Sequence, residues 1–251
     1  MRSCGKIARV TSGESAARSA KQAVRELAWT RLQEAGAARF PGARSRIPNF
    51  TGAEAAAELL AAQPEWRAAR VVKANPDLPQ LPARARALAD GKRLYMAVPR
   101  LAAERPFLLL DPASLDVPPR RAASIAGAAR HGRPVAIEEM ERIDLVVCGT
   151  VAVNRDGVRV GKGGGFSDLE FGLLVEAGLV DADTLLTTTV HTAQLLDGDL
   201  PETAHDFRVD LVVTPEAAIR TGARGRPPGI LWDHLDEAKI SEVPVLARMR
   251  P

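Results

Sequence analysis

The stretch Gly161-Lys162-Gly163-Gly164-Gly165 sets four glycines between a β-type run, Val158-Arg159-Val160, and a helix-forming run over residues 168–177. Residues without a Cβ let backbone N–H groups close on phosphate oxygens and accept positive φ, and strand, glycine turn and helix in that order can bind an anion. The same cluster can serve as the exit of a hairpin turning at Asn154-Arg155-Asp156-Gly157, which is the commoner use. It matches neither G-x-x-x-x-G-K-[ST] nor a G-x-G-x-x-G after a first strand, so neither a P-loop kinase nor a dinucleotide oxidoreductase is indicated. Asp168 opens the following helix, either as an ordinary N-terminal acid or as a magnesium ligand beside phosphates. Lys21 and Arg25 stand one helical turn apart, on one side, where they meet a polyphosphate or simply solvent. Asp206 and Asp210 flank the last strand as candidate surface acids. His191 and His205 have no carboxylate or nucleophile paired to them in sequence and receive no catalytic role.

The elements that would position these groups alternate between strand and helix. Residues 16–35 read as a helix ending at Gly36, residues 40–50 as a loop with two prolines and two arginines, and residues 53–62 as a second helix. Apolar runs follow at 70–74, 93–98, 107–110, 134–137, 144–153, 184–190 and 209–214, with a helix at 83–90 and a loop-rich stretch after Pro112. Three prolines in residues 75–82 demand an extended loop there. Parallel strands with crossover helices give an α/β protein, a Rossmann-like three-layer α/β/α sandwich with a mostly parallel sheet. Residues 1–15 read as a disordered leader, 16–251 as one domain, and residues 232–240 as a tail segment that packs back on the body.

The chain has 251 residues, 46% of them hydrophobic, enough for one sizeable core. Its +3 charge comes from 34 basic and 31 acidic residues spread along the chain, and basic residues are not interleaved with aromatics, so nucleic acid is not the expected partner. Arginines collect at Arg39, Arg44 and Arg46 and again at Arg224 and Arg226, which suits an anionic small molecule or a solvated surface. Cys4 and Cys148 lack companion ligands, so neither a zinc site nor a disulfide framework is expected. No apolar run spans a bilayer and no signal-peptide centre is visible, pointing to the cytoplasm. Nothing in the sequence fixes an oligomeric state.

The features in order resemble the 5-formyltetrahydrofolate cyclo-ligase family. Asp144-Leu145-Val146-Val147-Cys148-Gly149-Thr150-Val151-Ala152-Val153-Asn154 is similar to the family's D-L-V-[IL]-V-P-G-[VL]-A-F-D, and Asp156 to Gly161 to its x-G-x-R-L-G. Residues 161–168 resemble G-x-G-[GK]-G-Y-Y-D, residues 205–214 resemble h-D-x-x-[VL]-D-x-[IV]-[IV]-T, and Lys21 to Arg25 fits K-x-x-[LI]-R. The resemblance implies an ATP and Mg2+ site built from Lys21, Arg25, Gly161, Lys162, Gly163, Gly164, Gly165, Phe166, Ser167 and Asp168, with Asp168 at the metal and Lys21 and Arg25 catalytic. It also implies conversion of 5-formyltetrahydrofolate to 5,10-methenyltetrahydrofolate with release of ADP and phosphate. In that reaction the formyl oxygen attacks the γ-phosphate and the neighbouring nitrogen then closes the ring.

The departures fall on the same motifs. Phe166-Ser167 stands for the tyrosine pair, Leu169 for the arginine after the aspartate, and Gly149-Thr150 for Pro-Gly. Residues 73–80 replace a short segment carrying a substrate-side glutamate. These loops supply the acceptor-side candidates Arg46, Asn49, Phe50, Asn75 and Gln80, placed by topology at strand and helix ends. The substrate is expected to be a small molecule, a reduced folate or another heterocycle. A non-catalytic nucleotide or folate binder is the alternative from another class.

Overall fold

Alternation along the strands decides the layers. Val72, Ala74, Leu145, Val147, Leu211 and Val213 face one apolar core, while Val71, Val146, Cys148 and Val212 face another. Both faces are therefore covered, which is why these runs are apolar at nearly every position. The computed structural model describes residues 12–223 and 225–250 of the 251. The strands are β1 (Val71–Ala74), β2 (Arg93–Ala97), β3 (Phe107–Leu110), β4 (Arg133–Val135), β5 (Leu145–Cys148), β6 (Ala152–Val153), β7 (Arg159–Val160), β8 (Leu185–Thr189), β9 (Leu211–Val213) and β10 (Ala218–Arg220). Eight of them form one sheet in the order β10-β9-β8-β5-β1-β2-β3-β4, and β6 and β7 make a separate hairpin. From β9 through β8, β5 and β1 to β2 the pairing is parallel, and the antiparallel strands β10, β3 and β4 flank that centre. The fold is the expected mostly parallel α/β sandwich.

Helices α1 (Ser12–Glu34), α2 (Ala53–Ala61), α3 (Pro64–Ala68), α4 (Leu81–Ala89), α5 (Pro119–Ala122) and α6 (Ile125–His131) precede α7 (Phe166–Glu176), α8 (Glu237–Glu242) and α9 (Pro244–Met249). Buried residues of α1, α2 and α4 enter the first core, and those of α7, α8 and α9 enter the second. Gly36, Gly91 and Gly178 follow α1, α4 and α7 at φ 62, 75 and 66, a left-handed conformation that side-chain-bearing residues rarely adopt.

Four sequence expectations need correction. The run 144–153 is not one strand: β5 stops at Cys148, whose carbonyl accepts from Thr188 Oγ1 at 2.8 Å, and residues 149–151 separate it from β6. The stretch after Pro112 contains α5 and α6, the latter capped by Ser124 Oγ, which accepts from the Gly127 amide at 2.9 Å. Gly127 packs against the Arg121 carbonyl, where a Cβ would lie 1.8 Å away, so small residues replace the apolar spacing that marks a helix. Helix α1 starts at Ser12, because each added residue gains a hydrogen bond even where the sequence is polar. Residues 12–15 of the expected leader are thus helical, and the rest of it lies outside the described residues. Strand β10 was too short and exposed to announce itself.

The tail does pack back. Ile240, Val243, Val245 and Leu246 are buried in the second core, and Leu246 is fully buried. Leu246→Ala should therefore destabilise the whole domain by about 2–4 kcal/mol in a urea titration, with one transition. An unchanged midpoint would show that the tail is not part of the cooperative unit.

Candidate functional site

The chain leaves β1 toward β2 on one side, while β5 pairs β1 on the other and leads to β8. Strand order reverses between β1 and β5, so the loops after them separate and open a crevice outside their carboxyl ends. Asn75 follows β1 with its amide donating to the Val147 carbonyl at 3.0 Å. Gly149 follows β5. A Cβ there would sit 2.8 Å from Asp77 Oδ2 and 3.1 Å from Ile47 Cγ1, so the close approach of these loops needs glycine.

The glycine turn faces this crevice. Gly163 at φ 105 and Gly165 at φ 70 let the backbone coil into the N-terminus of α7, whose N-cap is Gly165. Arg25 Nε donates to the Gly161 carbonyl at 2.7 Å, and its guanidinium carbon lies 3.3 Å from where a Gly163 Cβ would stand. Two contacts cross to the loop after β1. Asn75 Nδ2 donates to Ser167 Oγ at 2.9 Å, and Lys162 Nζ lies 3.6 Å from Asp77 Oδ1.

Charges are buried beneath the turn. Arg159 on β7 donates to Asp168 Oδ1 at 2.6 Å and to the Gly149 carbonyl at 3.0 Å, and its guanidinium lies 4.3 Å from the Phe207 ring centroid. Burial raises the Asp168 carboxyl above its ordinary value, opposed by the Arg159 charge. Lys73, on the α7-facing side of β1, pairs with Glu170 of α7 and donates to Asn75 Oδ1 at 3.3 Å. Burial pulls the Lys73 ammonium down to about 7, opposed by the nearby Cys148, Asp77 and Asp168 and reinforced by the Arg159 charge. Lys21 pairs with Asp206 and donates to Thr203 Oγ1 at 3.2 Å. Burial alone would raise the Asp206 carboxyl, but Lys21 and Thr203 outweigh it and hold it below the carboxylate range.

Clefts of about 410 Å³ beside Trp66 and Lys92 and about 390 Å³ beside Asp181 and Asp210 lie at the amino ends of the strands and contain none of these groups. Among the described residues, no three carboxylate, histidine or cysteine side chains converge as a metal cage.

A family model described as the 5-formyltetrahydrofolate cyclo-ligase family matches residues 17–215. The chain belongs to this family. Methenyltetrahydrofolate synthase domain-containing proteins of Mus musculus and Homo sapiens are 38% and 33% identical to it over 237 residues. That is 92% of this chain but only 63% and 61% of theirs, so the chain spans under two thirds of those relatives. The NMR structure of Aquifex aeolicus 5,10-methenyltetrahydrofolate synthetase matches with a TM-score of 0.52 at 22% identity, covering 86% of this chain and 99% of that one, a likeness of fold.

Of the family-implied positions, Arg25, Lys162, Ser167 and Asp168 converge with the glycine turn. Lys21 stands on the same side of α1 as Arg25 but is held by Asp206. On the acceptor side, Asn75 lies in the crevice and Gln80 beside it, buried. Gln80 Nε2 is 3.5 Å from the Thr189 carbonyl and its Oε1 meets no donor among the described residues. Arg46 and Asn49 instead brace their own loop, through the Arg44 carbonyl at 3.3 Å and the Phe40 carbonyl at 3.2 Å. Phe50 is buried in the first core with its ring edge toward His191. Ile47 is the member of that loop that reaches Gly149. Asp210 accepts from the Leu186 amide and from Arg226, so both are structural, and Arg224 lies outside the described residues. His191 caps a short turn, its Nδ1 accepting from the Ala193 amide.

Sequence reasoning missed Lys73, Asp77, Arg159 and Glu170. The signal for two of them was present: a lysine inside the buried strand Val-Val-Lys-Ala, and a glutamate inside Phe-Ser-Asp-Leu-Glu-Phe-Gly-Leu-Leu. A charge on an element apolar on both faces needs a buried partner. Glu170→Gln should leave the Lys73 ammonium unpaired and cost about 3–5 kcal/mol, whereas Lys73→Met with Glu170→Leu should recover most of it. Urea titrations of the single and double variants decide this. A double variant as unstable as the single one would refute it.

Proposed function

We propose that the chain is an ATP-dependent cyclo-ligase that converts 5-formyltetrahydrofolate to 5,10-methenyltetrahydrofolate with release of ADP and phosphate. One observation carries this reading. The glycine turn and the loop after β1 meet at a single crevice, through the Asn75 to Ser167 hydrogen bond of 2.9 Å, so a nucleotide and an acceptor bound to those two loops would touch. Family membership supports this chemistry, and the α/β switch point is where such folds commonly bind ligands.

The residues fit a polyphosphate. Amides of Gly163, Gly164 and Gly165 lead into the N-terminus of α7, where partial positive charge accumulates, and Arg25 and Lys162 add full charges. Lys21 would exchange Asp206 for a phosphate oxygen. Magnesium asks for one or two carboxylates besides phosphates and water, and Asp168 fits one through the oxygen not engaged with Arg159; the ion would neutralise charge developing on the transferred phosphoryl group. The Arg159 charge opposes the burial that raises the Asp168 carboxyl, and its hydrogen bond orients that carboxylate beneath the turn. The protein's part is positioning and electrostatics: the formyl oxygen displaces ADP from the γ-phosphorus, the neighbouring nitrogen attacks the activated carbon, and phosphate departs with the formyl oxygen.

A second reading has its own support. Asn75, Asp77 and Gln80 occupy the acceptor side in place of a substrate glutamate, and Arg46 and Asn49 are bonded within their loop. That donor set suits an ATP-dependent reaction on a different formylated heterocycle.

Both readings are tested by incubating the protein with Mg-ATP and 5-formyltetrahydrofolate and following methenyl product by its near-ultraviolet absorbance and ADP by a coupled assay. ATP-dependent product formation is expected, falling about 100-fold or more in Asp168→Asn and at least about tenfold in Lys21→Ala. ATP binding without product formation would move the substrate to the second reading. Equal turnover in both variants would remove the site assignment.

A further inference from the structure

Residues 216–250 lie beyond the family match, yet their helices α8 and α9 pack on the same core face as α7. Lys239 of α8 places its ammonium 3.8 Å from the centroid of the Phe166 ring. Phe166 is the first residue of α7, and its ring edge lies 3.1 Å from where a Gly164 Cβ would be. The segment touches the cluster at a second point. His234 Nδ1 is 3.4 Å from His205 Nδ1, and His205 Nε2 is 3.0 Å from the Thr203 hydroxyl that accepts from Lys21.

We infer that the C-terminal segment completes the phosphate side of the site, with Lys239 as a polyphosphate-binding cation supplied from outside the family-matched region. The inference rests on the ATP-site reading above. At the turn itself Gly164 and Phe166 bring no charge, and Leu169 stands where the family pattern has an arginine. Arg25 and Lys162 serve one side of the turn and the helix N-terminus adds only about half a unit charge, so a further cation on the Phe166 side would help balance a polyanion. Lys239 reaches the same turn on a flexible stem, and an aromatic face lets an ammonium pivot while staying attracted. Its resting partner is Glu242, at 2.9 Å, which Arg100 also approaches at 3.4 Å. Glu242 therefore competes with phosphate for Lys239, and Arg100 can take up Glu242 when Lys239 turns.

The test is titration calorimetry of Mg-ATP into the full chain and its variants. Lys239→Ala should weaken ATP binding about three- to tenfold, the size expected of one partly screened charge near a polyanion. Lys239→Arg should stay within about twofold of wild type, since either cation satisfies a phosphate. Glu242→Gln should tighten binding, because it removes the competing anion. A lysine that merely staples the tail predicts the opposite for Glu242→Gln: both Lys239→Ala and Glu242→Gln would lower thermal stability without nucleotide and neither would tighten ATP. That pattern, or an unchanged dissociation constant in Lys239→Ala while wild type binds, overturns the inference and leaves the ATP-site reading standing. Wild type that binds no Mg-ATP overturns both.

Discussion

Two buried ion pairs under α7 hold the site together. Arg159 with Asp168 ties the helix to the β6–β7 hairpin, and Lys73 with Glu170 ties it to the central strand β1. Desolvated charges tolerate no vacancy, since a missing partner leaves an uncompensated charge in low dielectric. The glycine turn is too free in its backbone to fix its own position, and these pairs fix it from below. Asn75 then receives Lys73 on one side and holds Ser167 on the other, so the loop after β1 and the glycine turn share one anchor.

The arrangement also explains why so much charge gathers at one edge of an apolar sandwich. Parallel strands end together, and a reversal of strand order leaves their last amides and side chains unpacked. The rest of the sheet is closed by helices on both faces, so the β1–β5 boundary is where polar groups can enter without water. Arginine suits the deeper role because its planar fork bonds a carboxylate and a carbonyl at once, as Arg159 does with Asp168 and Gly149. Lys21 and Lys162 sit farther out, where a compact ammonium faces a single carboxylate, Asp206 or Asp77.

Departures from the family pattern cluster where the structure offers compensation. Gly149 in place of proline admits Asp77, whose carboxylate fills the space and faces Lys162. Ser167 in place of tyrosine accepts Asn75, from the segment that also differs. Phe166 in place of tyrosine becomes the platform for Lys239. Two of the altered residues thus meet the altered segment after β1, Gly149 approaching Asp77 and Ser167 bonding Asn75.

The sequence by itself determined the layers and the glycine turn. Apolar periodicity places the strands, and the glycine turn followed by Asp168 survives as a local pattern because its geometry is made within a few consecutive residues. It could not determine partners separated by many residues. That Lys73 meets Glu170, that Asn75 rather than Arg46 or Asn49 faces the turn, and that the tail returns Lys239 to Phe166 all depend on which strands become neighbours and which faces helices cover. Helix α6 escaped notice because small residues replaced its apolar stripe, and the 144–153 run divides into β5 and β6 where Gly149 lets Asp77 of another loop come close. Local physics writes secondary structure and turns into sequence. Pairing of buried charges is written only by the fold, because its energy depends on burial that no single segment possesses.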